Sequence, residues 1–269
     1  MKRCALSLVL ALAYGLLAAL PALGQDAPQI GQDGKDVEWV PTPPELIETM
    51  LDMADVTARD VVMDLGSGDG RAVIAAAERG ARAIGVEYDA GLVELSRERA
   101  ASAGVADRAA FVSGDLFEVD LSPATVITMF LLPDINLKLR PTLLQLEPGT
   151  RLASNTWDLG AWTPDETVVL DPCPTWCTSH LWIVPARVGG TWHSPHGELV
   201  LTQRFQTLSG TVQLNGKRHD IRDGRLRGDA LSFHAGETRF RGRVTSSAIE
   251  GVADSPTGTD RWRATRSGL

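Results

Sequence analysis

Cysteine is scarce in this chain of 269 residues, which has three in all. Cys4 precedes an apolar N-terminal stretch, so only Cys173 and Cys177, in Cys-Pro-Thr-Trp-Cys, remain as a pair. With no second pair, a zinc site is the weakest reading; a short-loop disulfide and two free thiols stay open. A basic excess is also missing. Lys and Arg number 26 against 34 Asp and Glu, for a net charge of −8. That argues against nucleic-acid binding through a generally basic surface. Glycine (26) and proline (15) stay far below collagen-like levels, and hydrophobic residues at 43% are too many for wholesale disorder or a coiled-coil rod. The five histidines make no convincing metal site. His193 and His196 have no third ligand nearby and suit a linker, and His180, His219 and His234 are isolated.

What is present begins with a targeting pattern. Lys2 and Arg3 precede an uncharged stretch from Ala5 to Leu23, then small residues to Gly24 and polar Gln25-Asp26. A positive end, an apolar middle and a small-residue exit describe a secretory signal peptide over residues 1–24. An uncleaved membrane anchor is the alternative. Either way the remainder is expected to be exported, to the periplasm, and the membrane is touched only by this segment. An oxidising compartment would favour the Cys173–Cys177 bond. Beyond the signal the charge divides. Residues 25–190 carry 12 Lys/Arg against 26 Asp/Glu, and residues 191–269 carry 12 against 8. Two folding units with these bounds are expected; two ordinary solvated surfaces explain the same charges.

Residues 25–190 alternate strand and helix. Strands are expected at Val61–Leu65, Ala81–Glu87, Ala109–Ser113, Ala124–Leu132 and Thr150–Thr156. Helices are expected at Glu45–Ala54, Arg71–Arg79, Ala90–Ala103 and Ile135–Leu146. The link from Gly114 to Pro123 is too short for a full helix. Glu166–Leu170 and Ser179–Pro185 read as an antiparallel hairpin whose tip holds the two cysteines. The fold class is α/β: a Rossmann-like, mostly parallel seven-strand sheet with an antiparallel terminal hairpin. After Thr191 helical signals vanish. Apolar-x-Gly recurs in Leu208-Ser-Gly210, Leu226-Arg-Gly228, Phe240-Arg-Gly242 and Ile249-Glu-Gly251, which suits a small all-β meander.

The informative motif is Asp64-Leu-Gly-Ser-Gly-Asp-Gly70, at the end of the first strand. Glycines there let the backbone approach a ligand, and the following helix offers free amides. An acid, Glu87, closes the next strand, where a carboxylate can accept both ribose hydroxyls. Asp115 follows the third strand, placed to meet an adenine amino group. A nicotinamide fingerprint would read GxGxxG and seat a pyrophosphate. Here the spacing is GxGxG, and acids at Asp64 and Asp69 would oppose phosphates but suit a sulfonium and an ammonium.

On these residues the chain resembles the class I S-adenosylmethionine-dependent methyltransferases over about Asp36 to Arg187. The resemblance implies that Gly66, Ser67 and Gly68 hold the methionine part of S-adenosylmethionine. It further implies that Asp64 orients the amino-acid end, Glu87 holds the ribose and Asp115 contacts adenine. Val40-Pro-Thr-Pro43 ahead of a helix, Arg71 after the glycine loop, Phe130-Leu-Leu-Pro133 and Arg151-Leu-Ala-Ser-Asn155 are similar to the seven-strand protein-lysine methyltransferases. A methyl acceptor that is a protein lysine or a small amine follows from that likeness, and the acidic surface suits a cationic substrate. A non-catalytic scaffold with a retained pocket is the rival reading. Phe130, Asn155 and Trp157 are candidates for the acceptor-side wall, with core packing and turn capping as the plainer alternative. Thr42 reaches over the cofactor or simply starts a helix. The tryptophans at 157, 162, 176, 182 and 192 fit a rim packing the hairpin onto the sheet, or an aromatic cage for a methylated cation.

Overall fold

The computed structural model describes residues 29–31, 38–195, 197–214 and 216–266. The expected signal segment, Cys4 and His196 lie outside the described residues. Among the described residues no helix is long and apolar enough to cross a membrane.

The α/β part runs α1 (Pro44–Met53), β1 (Val61–Leu65), α2 (Arg71–Glu78), β2 (Arg82–Glu87), α3 (Ala90–Ser102), β3 (Ala109–Ser113), β4 (Val126–Met129), α4 (Pro133–Leu143), β5 (Arg151–Asn155), β6 (Glu166–Val169) and β7 (Thr178–Ile183). Helix α1 starts where Pro44 supplies a preset φ and no needed amide. Asp89 caps α3, its carboxylate accepting from the Gly91 and Leu92 amides. The seven strands pair in the order β3-β2-β1-β4-β5-β7-β6. The first five are parallel, and β7 is antiparallel to both β5 and β6.

Alternation along each strand feeds two cores. Val62, Ala83 and Val126 pack with α1, α2 and α3 on one face. Met63, Ile127 and Leu152 pack with Leu139 and Leu143 of α4 and with Trp162 and Trp182 on the other. Strand β4 is shorter than the apolar run suggested. Residues 130–132 leave the sheet because Pro133, which cannot donate to a ladder, opens α4. The link from β3 to β4 makes only turns.

The second part consists of β8 (Gly190–Ser194), β9 (Gly197–Arg204), β10 (Thr207–Leu214), β11 (Lys217–Arg227), β12 (Ala230–Ala235), β13 (Thr238–Val244), β14 (Ala248–Ser255) and β15 (Gly258–Arg266). The expected meander does not stay open. Its last strand returns to its first, Thr265 opposite His193, and the eight strands close into an antiparallel barrel. Closure removes both edges. His193 is therefore a strand residue, not a linker. Trp192, Phe233, Phe240 and Trp262 fill the interior, Phe233 stacking on Phe240 at 4.6 Å. Gly242 stands opposite Gly251, where the strands come too close for side chains. Sheet and barrel meet through Phe205, stacked on Trp162 at 5.9 Å, Gln206 Nε2 donating to Thr163 O at 2.6 Å, and an Arg225–Asp165 ion pair at 2.7 Å.

A Cβ on Gly251 would lie 1.9 Å from the Arg241 carbonyl. Gly251→Ala is expected to cost about 1–3 kcal/mol by overpacking, seen as a lower midpoint in thermal denaturation. Gly114→Ala, where a Cβ meets nothing within 4 Å, should stay within about 0.5 kcal/mol of the parent.

Candidate functional site

In an open α/β sheet, the strands' C-terminal ends form a crevice where the strand order reverses, here between β1 and β4. A cavity of about 590 Å³ occupies it. On its β1–β3 side lie Asp64, Gly66, Ser67, Gly68, Glu87 and Asp115. On its β4–β5 side lie Phe130 and Trp157, and Thr42 lines it from the entry segment. The structure thus brings together nine of the ten residues singled out in the sequence. Asn155 is the exception. It is fully buried and off the cavity wall, its Nδ2 donating to Thr42 Oγ1 at 3.4 Å and its Oδ1 accepting from Thr156 Oγ1 at 2.8 Å. Its place is behind the wall, holding the entry segment.

The loop between β1 and α2 turns through positive φ at Gly66 (+73°) and Gly68 (+53°). A Cβ at Gly68 would stand 2.5 Å from the indole nitrogen of Trp39, so the entry segment lies directly against the loop. Arg71 fastens that segment by donating to the Thr42 carbonyl at 3.1 Å. The Ser67 hydroxyl is turned toward β2, where a Cβ on Gly85 would stand 2.5 Å from it, and its oxygen has no partner. Ser67 thus borders the cavity without aiming its hydroxyl there.

The two loop acids behave differently. Asp69 is buried, but Arg71 pairs with it at 2.7 Å and Arg99 also pairs with it. Burial pushes its pKa up, yet the two guanidiniums hold it below the ordinary carboxylate range. Its charge is therefore spent inside the protein, and the expected pair of ligand-facing acids reduces to Asp64. That carboxyl accepts from Thr128 Oγ1 at 2.6 Å, and among the described residues no cation pairs with it. Burial, opposed by the Thr128 bond and reinforced by the charges of Glu87 and Asp69, pushes its pKa up to about 7. A buried carboxylate in that state is relieved by a positive ligand.

Glu87 is fixed by two amides. Its Oε2 accepts from Gly68 N at 2.8 Å and its Oε1 from Asp89 N at 2.9 Å. Each oxygen keeps a second lone pair, enough for vicinal hydroxyls. Asp115 Oδ1 accepts from Phe117 N at 2.9 Å. The acceptor set fits S-adenosylmethionine: a negative site for its ammonium, a clamped carboxylate for ribose, and a further acid one strand along.

Across the crevice the wall is aromatic. Trp176, from the tip of the β6–β7 hairpin, also lines the cavity. Its ring lies 5.4 Å from Phe130, edge to face, and 6.3 Å from Trp157. The tip is closed by the Cys173–Cys177 disulfide. Trp157 follows Thr156, a β-branched residue at φ +62°, a conformation that persists only when its surroundings enforce it. Thr156 N donates to Thr178 O at 2.7 Å. The Trp157 carbonyl accepts from Ser154 Oγ at 2.6 Å and Asn136 Nδ2 at 3.1 Å. The tryptophan cluster therefore splits: Trp162 and Trp182 are core, Trp192 belongs to the barrel, and Trp157 and Trp176 face the cavity. Sequence reasoning gave Trp39 no place at the site, and Trp176 only the alternative one of an aromatic cage. For Trp176, the place in a hairpin tip beyond the parallel strands was the signal that favoured the cage over the rim. Among the described residues, no group of three His, Cys, Asp or Glu could hold a metal.

A family model described as the ANTKMT methyltransferase domain matches residues 64–166. A protein-lysine N-methyltransferase of Saccharolobus islandicus (strain REY15A) is 39% identical over 151 residues, covering 55% of this chain and 94% of that protein. The adenine nucleotide translocase lysine N-methyltransferase of Mus musculus is 39% identical over 106 residues, 38% of this chain and 46% of its own length. The chain thus spans just under half of that animal relative. A crystal structure of an RNA methyltransferase from Salinibacter ruber, in complex with S-adenosyl-L-homocysteine, is 50% identical, with a TM-score of 0.53. The match covers 55% of this chain and 96% of that one.

Two outcomes follow for S-adenosylmethionine binding by calorimetry. Glu87→Ala removes hydrogen bonds to a charged acceptor, worth about 1.5–3 kcal/mol, so affinity should fall roughly 10- to 150-fold. A cationic ligand favours ionised Asp64, so affinity should rise with pH through about 7 and level off above it. Because the folded pKa lies above the ordinary value, ionising Asp64 opposes folding, and the ligand-free protein loses stability over the same rise. Asp64→Asn should flatten the pH dependence of binding and raise the melting temperature at pH 8.

Proposed function

We propose, for a chain that belongs to the class I S-adenosylmethionine-dependent methyltransferases, that the methyl acceptor is the side-chain amine of a protein lysine. When bound, S-adenosylmethionine supplies a methyl group already activated on a sulfonium, so the chain's own residues need only bind, align and shield. Asp64 holds the amino-acid end of the cofactor and Glu87 its ribose, both on the β1–β3 side. That leaves the β4–β5 side for the acceptor.

The observation that carries the reading is the make-up of that side: Phe130, Leu132, Trp157 and Trp176. A lysine has a four-carbon stem that packs on such a surface. Its ammonium must lose a proton before attack, and an apolar wall lowers the amine pKa by disfavouring the charged form. The aromatic faces then receive the methylated cation that forms. Two relatives that are named lysine N-methyltransferases support this choice, and the excess of acidic residues in 25–190 draws a cationic partner. A small amine would meet the same wall.

An RNA acceptor is the second reading, favoured by the 50% identical structure, which is named an RNA methyltransferase. The same carboxylate excess opposes a phosphate backbone. The N-terminal pattern and the Cys173–Cys177 bond support export to an oxidising compartment. The assignment of residues 25–190 to catalysis and 191–269 to an accessory barrel is part of the same proposal.

The test is incubation with methyl-labelled S-adenosylmethionine and a bacterial extract containing both protein and RNA. Label should be released by protease and recovered as methyl-lysine after acid hydrolysis. Label released by ribonuclease instead would overturn the lysine assignment.

A further inference from the structure

The disulfide at the tip of the β6–β7 hairpin encloses a ring of five residues, and one of them forms part of the cavity wall. Trp176 stands immediately before Cys177, and its backbone sits at φ +56°, a region that bulky residues rarely adopt. Nothing in the sheet ladder requires that conformation, since β6 ends at Val169 and β7 begins at Thr178. The ties at the tip include the bridge, with its Cα atoms 5.8 Å apart, and the hairpin bond from Leu170 N to Cys177 O at 2.9 Å. Trp176 makes ring contacts with Phe130 and Trp157, both on the acceptor side. The hydrogen bonds that hold Asp64 and Glu87 come instead from Thr128, Gly68 and Asp89, all away from the tip.

We propose that Trp176 is an acceptor-positioning residue and that the Cys173–Cys177 bond sets its position, so that acceptor binding, but not cofactor binding, depends on the oxidised state of the tip. The inference rests on the reading of the β4–β5 side as the amine site. In the oxidised form the three rings make a sleeve that receives an aliphatic ammonium by packing and by cation–π attraction. On reduction, an added dithiol passes two electrons and two protons to the bridge. The S–S bond breaks, two cysteine thiols form, and the dithiol closes to its own disulfide. The five-residue ring opens, Trp176 is free to leave the left-handed region, and the sleeve loses one side. Wall and bridge together would confine full acceptor affinity to an oxidising compartment.

The experiment uses the full chain, poly-L-lysine as acceptor probe, and S-adenosylmethionine. Reduction of the bridge, verified by thiol titration, should raise KM for poly-L-lysine at least tenfold. The change in kcat should be smaller, and Kd for S-adenosylmethionine should stay within twofold. Trp176→Ala should show the same raised KM with the dithiol absent and no further change with it present. Trp176→Phe should recover part of the loss. An unchanged KM in the reduced protein, or a Kd for the cofactor that rises in parallel, overturns the inference. A second probe covers failure of poly-L-lysine to react in either state, an outcome that would count against the lysine reading itself. Butyltrimethylammonium is titrated into the S-adenosylhomocysteine complex and followed by tryptophan fluorescence. Binding in the oxidised form at least tenfold tighter than in the reduced form upholds the sleeve for another amine. Equal binding in the two forms, or none in the oxidised form, rejects it.

Discussion

The site turns on one unbalanced charge. Asp64 ends a buried strand and has Glu87 and Asp69 as charged neighbours, and the two nearby guanidiniums are committed to Asp69. Its hydrogen-bonding support is the Thr128 hydroxyl on the adjacent strand. Keeping a carboxyl there costs the empty protein stability, a cost that makes sense for a group whose partner arrives from solution. A ligand with a positive end restores the balance, and one with a pyrophosphate worsens it. The glycine turn, the clamp on Glu87 and the strap over the loop all work around that requirement.

Sheet topology then divides the labour. Strands β1, β2 and β3 lead into an acid or a turn suited to the cofactor, whereas β4 and β5 are followed by the aromatic residues Phe130 and Trp157. The entry segment ties the halves together, because Thr42 touches both Arg71 and Asn155 through separate atoms. The barrel docks by Phe205, Gln206 and Arg225 onto Trp162, Thr163 and Asp165. It leans on the segment between β5 and β6, the same stretch of chain that follows Trp157. Its core is filled by its own aromatics, so its contribution there is a surface.

Much of this was legible in the residues. Strand–helix alternation fixed the five parallel strands to within a few residues, since burial on both faces writes continuous apolar runs. The glycine turn and Glu87 were readable because their chemistry is local. Barrel closure was not readable: it depends on Thr265 meeting His193 across the whole meander, and no local pattern encodes a long-range pairing. Half of the neutralisation of Asp69 was hidden for the same reason, because Arg99 lies a helix away, although Arg71 is only two residues along. Asn155 looked like a wall residue by its place at a strand end, yet its side chain turns back to Thr42. Which tryptophans of the cluster line the cavity and which are core was not readable, Trp176 included, because a hairpin tip has no fixed address until the sheet is assembled.

The most direct measurement is a crystal structure of the complex with S-adenosylhomocysteine. The account predicts the ligand in the crevice between β1 and β4, its amino group on the Asp64 side and its ribose hydroxyls on the Glu87 carboxylate. The aromatic wall of Phe130, Trp157 and Trp176 should face the sulfur. A ligand seated elsewhere, or one whose amino group and ribose leave Asp64 and Glu87 untouched, would contradict it.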